Sequence, residues 1–479
     1  MDFRPVLYIN GIFLCVLSVF MVIPTLCDLA TDNLDWVAFA IGMALTGFSG
    51  VLLILANKQD KIEITGRQTF ALTGLSWILL SVFSAIPFLI AFPDLGFADA
   101  VFETVSGLTT TGSTVMSGLD TMPYGILIWR ALLQWLGGIG IIVMAISVLP
   151  FLRVGGMQLF RLESSEKEKP LPKVTDMAKA LCIAYFVLSF ACYLAYYFCG
   201  MTHFEAVIHS MTTVSTGGYS TTDASFGNFS NATKLFSIVF MILAAFPFII
   251  FVKMYLRSPF VMFEDEQTMG FLKLQALFIF IIITFLFFWF PGFNWDTVVD
   301  GAFNIVSVST GTGYASSDYN QWAPFALGFI LFASCIGGCA GSASCGIKIF
   351  RFQILYAVAK TQIMQLIYPN GVFTVSYNKQ PLSIQVAASV MAFFFIFVTA
   401  LVIVTLALLL CGLDILTALS GAITTLSNVG PGLGDIIGPA GNFSSLPDSA
   451  KWIMILSMLL GRLEFFTLLV FFVPRFWRN

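Results

Sequence analysis

Charge is scarce in this sequence. Only 10% of its 479 residues are Asp, Glu, Lys or Arg, 58% are hydrophobic, and the mean hydropathy is +0.91. So few charges cannot cover the surface of a soluble protein, so the chain reads as a polytopic membrane protein. Length-based domain counts for soluble chains do not apply to it. A net charge of −3 leaves no basic footprint for nucleic acid. Histidine is nearly absent: His203 and His209 are the two, and no GxSxG-like elbow accompanies them, which argues against an intramembrane Ser/His hydrolase. The nine cysteines lie mostly inside apolar runs with no paired or metal-ligand spacing and read as small buried apolar residues. No phosphate-binding glycine motif follows a strand pattern, so a nucleotide site of the chain's own is not expected. The first apolar run lacks a small-residue cleavage site and reads as a span rather than a removed signal.

What is present is a series of long apolar windows. Segments of about 20 apolar residues mark spans, and ten are expected, at 5–26, 36–56, 69–91, 124–149, 177–198, 233–252, 271–290, 324–347, 384–411 and 451–473. Lys and Arg fall in alternate gaps: Lys58, Lys61 and Arg67; Arg153, Arg161, Lys167, Lys169, Lys173 and Lys179; Lys253, Arg257 and Lys273; Lys348, Arg351, Lys360 and Lys379. Arg4, Arg475 and Arg478 flank the ends. The other gaps carry acids, among them Asp28, Asp99, Asp223, Asp300 and Asp435. The positive-inside rule places both termini and the basic gaps in the cytoplasm.

Four outer gaps share one plan: an acid or two, ten to fifteen mostly apolar residues, then a Gly-rich polar stretch. The apolar part is too short to cross a bilayer and suits a re-entrant half-helix. Non-helical backbone at that depth must be buried in protein or line a water-filled cavity. The gaps align without insertions over 103–112, 209–218, 304–313 and 421–430. Ser or Thr stands six residues before the final glycine (Ser106, Thr212, Ser307, Thr424) and three before it (Thr109, Ser215, Thr310, Ser427); the final glycines are Gly112, Gly218, Gly313 and Gly430. A repeat at fixed positions implies a repeated structural unit. The expected fold is all-α: two N-terminal spans plus four span–re-entrant pore loop–span repeats around a pseudo-four-fold axis. The segments would be 1–62 for the introductory spans, then 63–152, 153–257, 258–366 and 367–479 for the repeats. Glycine admits dihedrals that let successive carbonyls turn to one side, and a ring of carbonyl oxygens replaces the hydration shell of a cation. The half-helices would aim their negative C-terminal ends at it. In the same register, Glu103, His209 and Asn304 share a column and are expected to fix the half-helices by hydrogen bonds, with proton coupling as the alternative.

The stretches "GLTTTGS", "TVSTGGYS", "STGTGYAS" and "NVGPGLG" resemble the four pore loops of the Trk/Ktr/HKT superfamily of cation transporters. The two extra N-terminal spans and the "GRLE" of the last span resemble its TrkH/TrkG branch of bacterial potassium uptake proteins, and the resemblance extends over essentially the whole chain. It implies a cation held by backbone at Thr110, Thr111 and Gly112, at Thr216, Gly217 and Gly218, at Gly311, Thr312 and Gly313, and at Asn428, Val429 and Gly430. In the family, Ser at the first of the four glycines goes with sodium permeation, so Gly112 points to potassium; the fourth loop departs from a Thr-Gly pattern, as it does in the family. The resemblance also implies a multi-pass protein of the inner membrane, a homodimer, a cytosolic nucleotide-binding regulatory subunit, and no cofactor beyond potassium as substrate. The alternatives are a sodium-permeable or sodium/proton-coupled symporter and a non-conducting receptor or scaffold.

Two features lie beneath the loops in this scheme. Arg462 sits about half-way along the tenth span, where a charge costs about 2.5–3.5 kcal/mol to insert; it is read as an electrostatic barrier to permeation, or else as a partner of Glu464 or another carboxylate. The stretch "ASCIGGCAGSASCGIK" interrupts the eighth span. Its glycines weaken a helix by roughly 0.8–1 kcal/mol each, and Gly337, Gly338, Gly341, Ser342, Gly346 and Lys348 are expected to form an intramembrane gate, the alternative being close helix packing through Gly337 and Gly341. The charged run at 163–173 reads as a solvated linker. The glycosylation sequons at Asn228, Asn231 and Asn442 read as chance.

Overall fold

Polar and apolar residues are exchanged relative to a soluble protein. In a computed structural model, Thr110, Thr216, Thr310 and Asn428 are fully buried, while Phe280 and Phe395 on long helices are 68% and 73% exposed. The structure describes residues 2–59, 64–148, 174–378 and 380–477. The linker at 163–173, the unit boundaries at 62/63 and 152/153, and Lys61, Arg153, Arg161, Lys167, Lys169, Lys173, Lys379 and Arg478 lie outside the described residues.

The chain is mostly helical; the small exceptions among the described residues are two pairings of two-residue strands, Ile336–Gly337 with Ile347–Lys348 and Ser376–Tyr377 with Gln380–Pro381. Among the described residues, six helices are long and apolar enough to cross a membrane, and up to eight if each of two bent pairs counts as one span. Arg4–Phe20 and Trp36–Ala56 approach closely where Gly11 meets Gly50: a Cβ on either would strike the other's neighbourhood, at 2.8 Å from Gly50 O or Gly11 O. Small residues bring membrane helices together in this way.

Four times thereafter, a long helix leads into a short one, a Gly-rich turn and a further helix. The short helices are Phe97–Leu108, His203–Val214, Trp295–Ser309 and Ile415–Ser427. The last three are capped by Thr202, Asn294 and Asp414, whose side chains accept from the backbone N–H three residues on; the Thr417 hydrogen bonds hold the Asp414 carboxyl below its ordinary range. Each short helix packs between the two helices of its own unit, and also against the return helix of the unit before. Tyr124–Val148 touches His203–Val214, Asn231–Ala244 touches Trp295–Ser309, Pro324–Ser334 touches Ile415–Ser427, and Asp448–Arg462 touches Phe97–Leu108. The fourth contact returns to the first unit, so the four close on themselves.

Three expected spans are broken. The sixth bends by 87° between Asn231–Ala244 and Phe248–Leu256, at Pro247, whose ring cannot donate to the helix ladder. The eighth stops at Ser334, and residues 335–348 are non-helical apart from the short parallel pairing before Ile349–Ile367 begins. The tenth bends by 110° after Arg462, with Glu464 and Phe465 at positive φ. Arg462 therefore ends a helix rather than standing in the middle of a continuous one.

Candidate functional site

The four short helices end alike, and the acceptor each time is the backbone carbonyl at the repeat's Ser/Thr column. Thr111 N donates to Ser106 O at 2.8 Å, Gly217 N to Thr212 O at 2.8 Å, Thr312 N to Ser307 O at 2.9 Å and Val429 N to Thr424 O at 2.9 Å. Such bonds, one residue longer than a helical bond, satisfy carbonyls that the helix end leaves free. They require left-handed residues, found at Thr110, Thr216, Gly311 and Asn428 with φ of 54°, 51°, 76° and 52°. Two residues later Gly112, Gly218, Gly313 and Gly430 are left-handed again, at 87°, 81°, 82° and 110°. Alternating handedness gathers successive N–H groups on one side of the chain, which leaves the carbonyls on the other.

The turns meet edge to edge. A Cβ added to Gly112 would collide with Gly217 O, one on Gly218 with Thr312 O, one on Gly313 with Val429 O, and one on Gly430 with Thr111 O. The order runs from first loop to second, third and fourth and back to the first. Ser113 Oγ donates to Gly430 O at 2.8 Å, and Asn428 Nδ2 donates to Thr111 Oγ1 at 2.8 Å, which ties the fourth loop to the first by side chains. Of the twelve residues singled out in the four loops, Thr111, Gly112, Gly217, Gly218, Thr312, Gly313, Val429 and Gly430 make these close approaches, and Asn428 joins them through its side chain. A cavity of about 80 Å³ has all four final glycines in its wall, together with Arg130 and Asp223.

The column before the turns braces the outgoing segments. Glu103 carboxylate oxygens accept from Thr114 Oγ1 and Val115 N at 3.0 Å; His209 Nε2 lies 3.1 Å from Ser220 Oγ; Asn304 Oδ1 accepts from Ser316 N at 3.0 Å. In the fourth unit Gly421 has no side chain to offer, and the neighbouring Ser420 Oγ accepts from Leu433 N at 3.0 Å.

On the other side of the ring lies the glycine-rich break of the eighth span. Ser344 Oγ donates to Thr310 O at 2.6 Å, and Cys345 Sγ stands 3.7 Å from Thr110 Oγ1. Gly341 and Gly346 are left-handed, at 74° each; a Cβ on Gly337 would strike Cys345 O, and one on Gly338 would come within 2.8 Å of Ala245. Gly337 and Gly341 are in no helix, so they do not form a helix-packing pair. Ser342 Oγ donates to Cys339 O at 2.7 Å, and Lys348 Nζ donates to Ser344 O. The other two breaks hold this segment. Cys339 N donates to Ala245 O and Phe248 N to Gly341 O, each at 2.9 Å. Arg462 Nη1 donates to Ala343 O at 3.2 Å and to Cys345 Sγ at 2.5 Å, and Nη2 to Gly137 O at 3.0 Å. Backbone freed from three interrupted helices is thereby satisfied inside the protein, as the membrane requires. Glu464 is not the partner of Arg462: it pairs with Arg351 at 2.8 Å. Arg351, expected in a cytoplasmic segment, is itself buried, with its guanidinium 3.7 Å from the Phe393 ring.

A chain whose whole length carries this arrangement has known counterparts. The sequence model of a family described as TrkH, cation transport protein, matches residues 36–479. The chain belongs to the TrkH family. It is 41% identical to the Trk system potassium uptake protein TrkI of Halomonas elongata, over 99% of this chain and 97% of that one. It is 33% identical to TrkG of Escherichia coli, over 99% of each. The crystal structure of the potassium transporter TrkH from Vibrio parahaemolyticus superposes with a TM-score of 0.92 at 36% identity, covering all of both chains.

Sequence reasoning missed several residues that brace this TrkH-type site. Arg130 forms a buried pair with Glu103 at 2.8 Å and stacks 4.1 Å from the Tyr219 ring. One turn on, Gln134 donates to Gly217 O at 2.5 Å and accepts from Tyr219 N at 3.1 Å. An Arg and a Gln four apart inside an apolar window mark one face of a helix, and that signal was legible. The contacts of Ser344 and Cys345 were not, because their partners lie far away in sequence.

Proposed function

We propose that this chain is the potassium-selective pore-forming subunit of an uptake system in the inner membrane. Ten spans carry it, with both termini cytoplasmic and the units divided at 62/63, 152/153, 257/258 and 366/367. The observation that carries the reading is the closed cycle in which each final glycine of a loop abuts a carbonyl of the next. A dehydrated cation at the centre meets backbone oxygens from Thr110, Thr111 and Gly112, Thr216, Gly217 and Gly218, Gly311, Thr312 and Gly313, and Asn428, Val429 and Gly430. Only a cation gains from such a ring, since carbonyl oxygens substitute for its hydration water. The C-terminal ends of four short helices add negative potential there.

The segment with Gly337, Gly338, Gly341, Ser342, Gly346 and Lys348 is the gate, seated against the ring from the cytoplasmic side. Arg462 is the barrier: its charge stands beneath the ring, hydrogen-bonded to the gate. Opening requires the segment to leave Thr310 O and Arg462. The energy comes from a cytosolic nucleotide-binding regulatory subunit acting on a homodimer, in keeping with relatives named as parts of a Trk system. An interior at −100 mV supplies about 2.3 kcal/mol per cation, so modest gradients need no coupled ion.

Two measurements test the reading: rescue of a potassium-uptake-deficient strain at limiting potassium, and cation flux in liposomes containing the purified chain with its regulatory subunit. Potassium flux that sodium does not replace is the expected result. Equal sodium flux transfers the function to the sodium-permeable alternative, and absence of any flux favours a scaffold.

A further inference from the structure

Beneath the ring, three cationic side chains surround one small cavity. Lys348, Arg351 and Arg462 line it together with a single carboxylate, Glu464. Arg351 and Arg462 are only 2% and 3% exposed. Glu464 is engaged by Arg351, and among the described residues Arg462 makes no ion pair; it spends its Nη groups on two carbonyls and a thiol. The Nε–H of Arg351 and the Nε–H of Arg462 are both buried without an acceptor. A buried donor left unmade costs roughly 1–3 kcal/mol, more when it is charged, and native interiors seldom leave one. Here two occur on neighbouring cations that line the same void. The one carboxylate in the wall is already engaged by Arg351, so three cations share the void with a single anion.

We infer that this cavity binds a small monovalent inorganic anion of the chloride class while the gate is seated. At about 50 Å³, and with one water needing roughly 10–15 Å³, it admits a monatomic ion with two or three waters. The lining cations repel potassium from the same place. Part of the wall, Ser344 and Cys345, belongs to the gate segment, and Arg462 belongs to the break in the last span. Lifting the segment takes the site apart. An anion that binds only the assembled cavity favours the seated conformation by that difference in affinity. The effect on flux rests on the proposed function; the binding itself does not.

Bromide is the probe for the site. In crystals of the full-length wild-type protein grown with bromide, an anomalous peak is expected between the Arg351 and Arg462 side chains, and chloride is expected to displace it. No peak there with the gate seated overturns the site, whether or not the protein conducts. In liposomes, replacing internal chloride by gluconate is expected to raise rubidium flux roughly fivefold or more, the usual span of coupling between linked sites. Arg351→Gln is expected to remove both the bromide peak and the chloride dependence. Flux in the wild type that is indifferent to chloride overturns the link to gating. A wild type that carries no flux at all sinks the proposed function instead, and the bromide peak still decides the site.

Discussion

The carbonyl oxygen of Gly217 occupies the place that a Cβ on Gly112 would take, and Gly112 is itself left-handed, at φ +87°. One residue in the first loop is therefore restricted twice, by its own backbone and by the neighbouring loop. Gly112→Ser has to strain the turn, at about 1–3 kcal/mol, or push the second loop outward. The expected result is a wider ring with weaker discrimination against sodium. Competition of sodium against rubidium uptake reads this, and an unaltered selectivity ratio removes Gly112 from the ring.

Arg462→Ala is expected to raise basal cation flux several-fold in the absence of the regulatory subunit. The substitution removes the charge beneath the ring and strips Ala343 O and Gly137 O of a donor, at roughly 1–3 kcal/mol for each buried group left unpaired. Arg462→Lys keeps the charge without the planar fork and is expected to restore most of the barrier. Identical leak in all three proteins excludes an electrostatic role.

Ser344→Ala tests the seat of the proposed gate. Its hydroxyl donates to Thr310 O at 2.6 Å and accepts from Gly338 N at 2.8 Å, so one small side chain joins the segment both to the ring and to itself. The loss of about 1–3 kcal/mol falls on the seated conformation, and single-channel or flux recordings are expected to show more frequent opening. Unchanged opening with a normally folded protein places the seat elsewhere.

Glu103 and Arg130 are 0% and 1% exposed and 2.8 Å apart. Removing one partner leaves a buried charge alone, at about 3–5 kcal/mol. Arg130→Met and Glu103→Gln are each expected to lower the thermal midpoint in detergent markedly, and the double variant by less than the two together. Strict additivity contradicts a direct pairing.

Much of the repeat was readable because it is local. The Ser/Thr positions six before each final glycine act through a carbonyl only five residues from the N–H it receives, and Asn428 or Thr216 in a left-handed turn leaves its mark in a stretch of ten residues. Composition alone distinguishes spans from polar turns, because lipid demands apolar surface over a known length. Arg462 and the glycine-rich break were legible in a weaker way: a charge and a cluster of glycines inside apolar windows are conspicuous, yet nothing nearby names their partners. The alternative in which Arg462 pairs with Glu464 fails on backbone geometry. The chain turns by 110° after Arg462, and Glu464 is carried to Arg351.

The sequence by itself determined a membrane chain of apolar spans carrying four copies of one glycine-ended turn, since hydropathy and local hydrogen bonding depend on residues near one another. Only the tertiary structure decided that the turns meet in cyclic order and that three broken helices converge beneath them. Those contacts join positions distant in the chain, 325 residues apart for Gly137 and Arg462 and 317 for Ser113 and Gly430. Their formation depends on how four similar units close around a common centre, which no single stretch of the chain encodes.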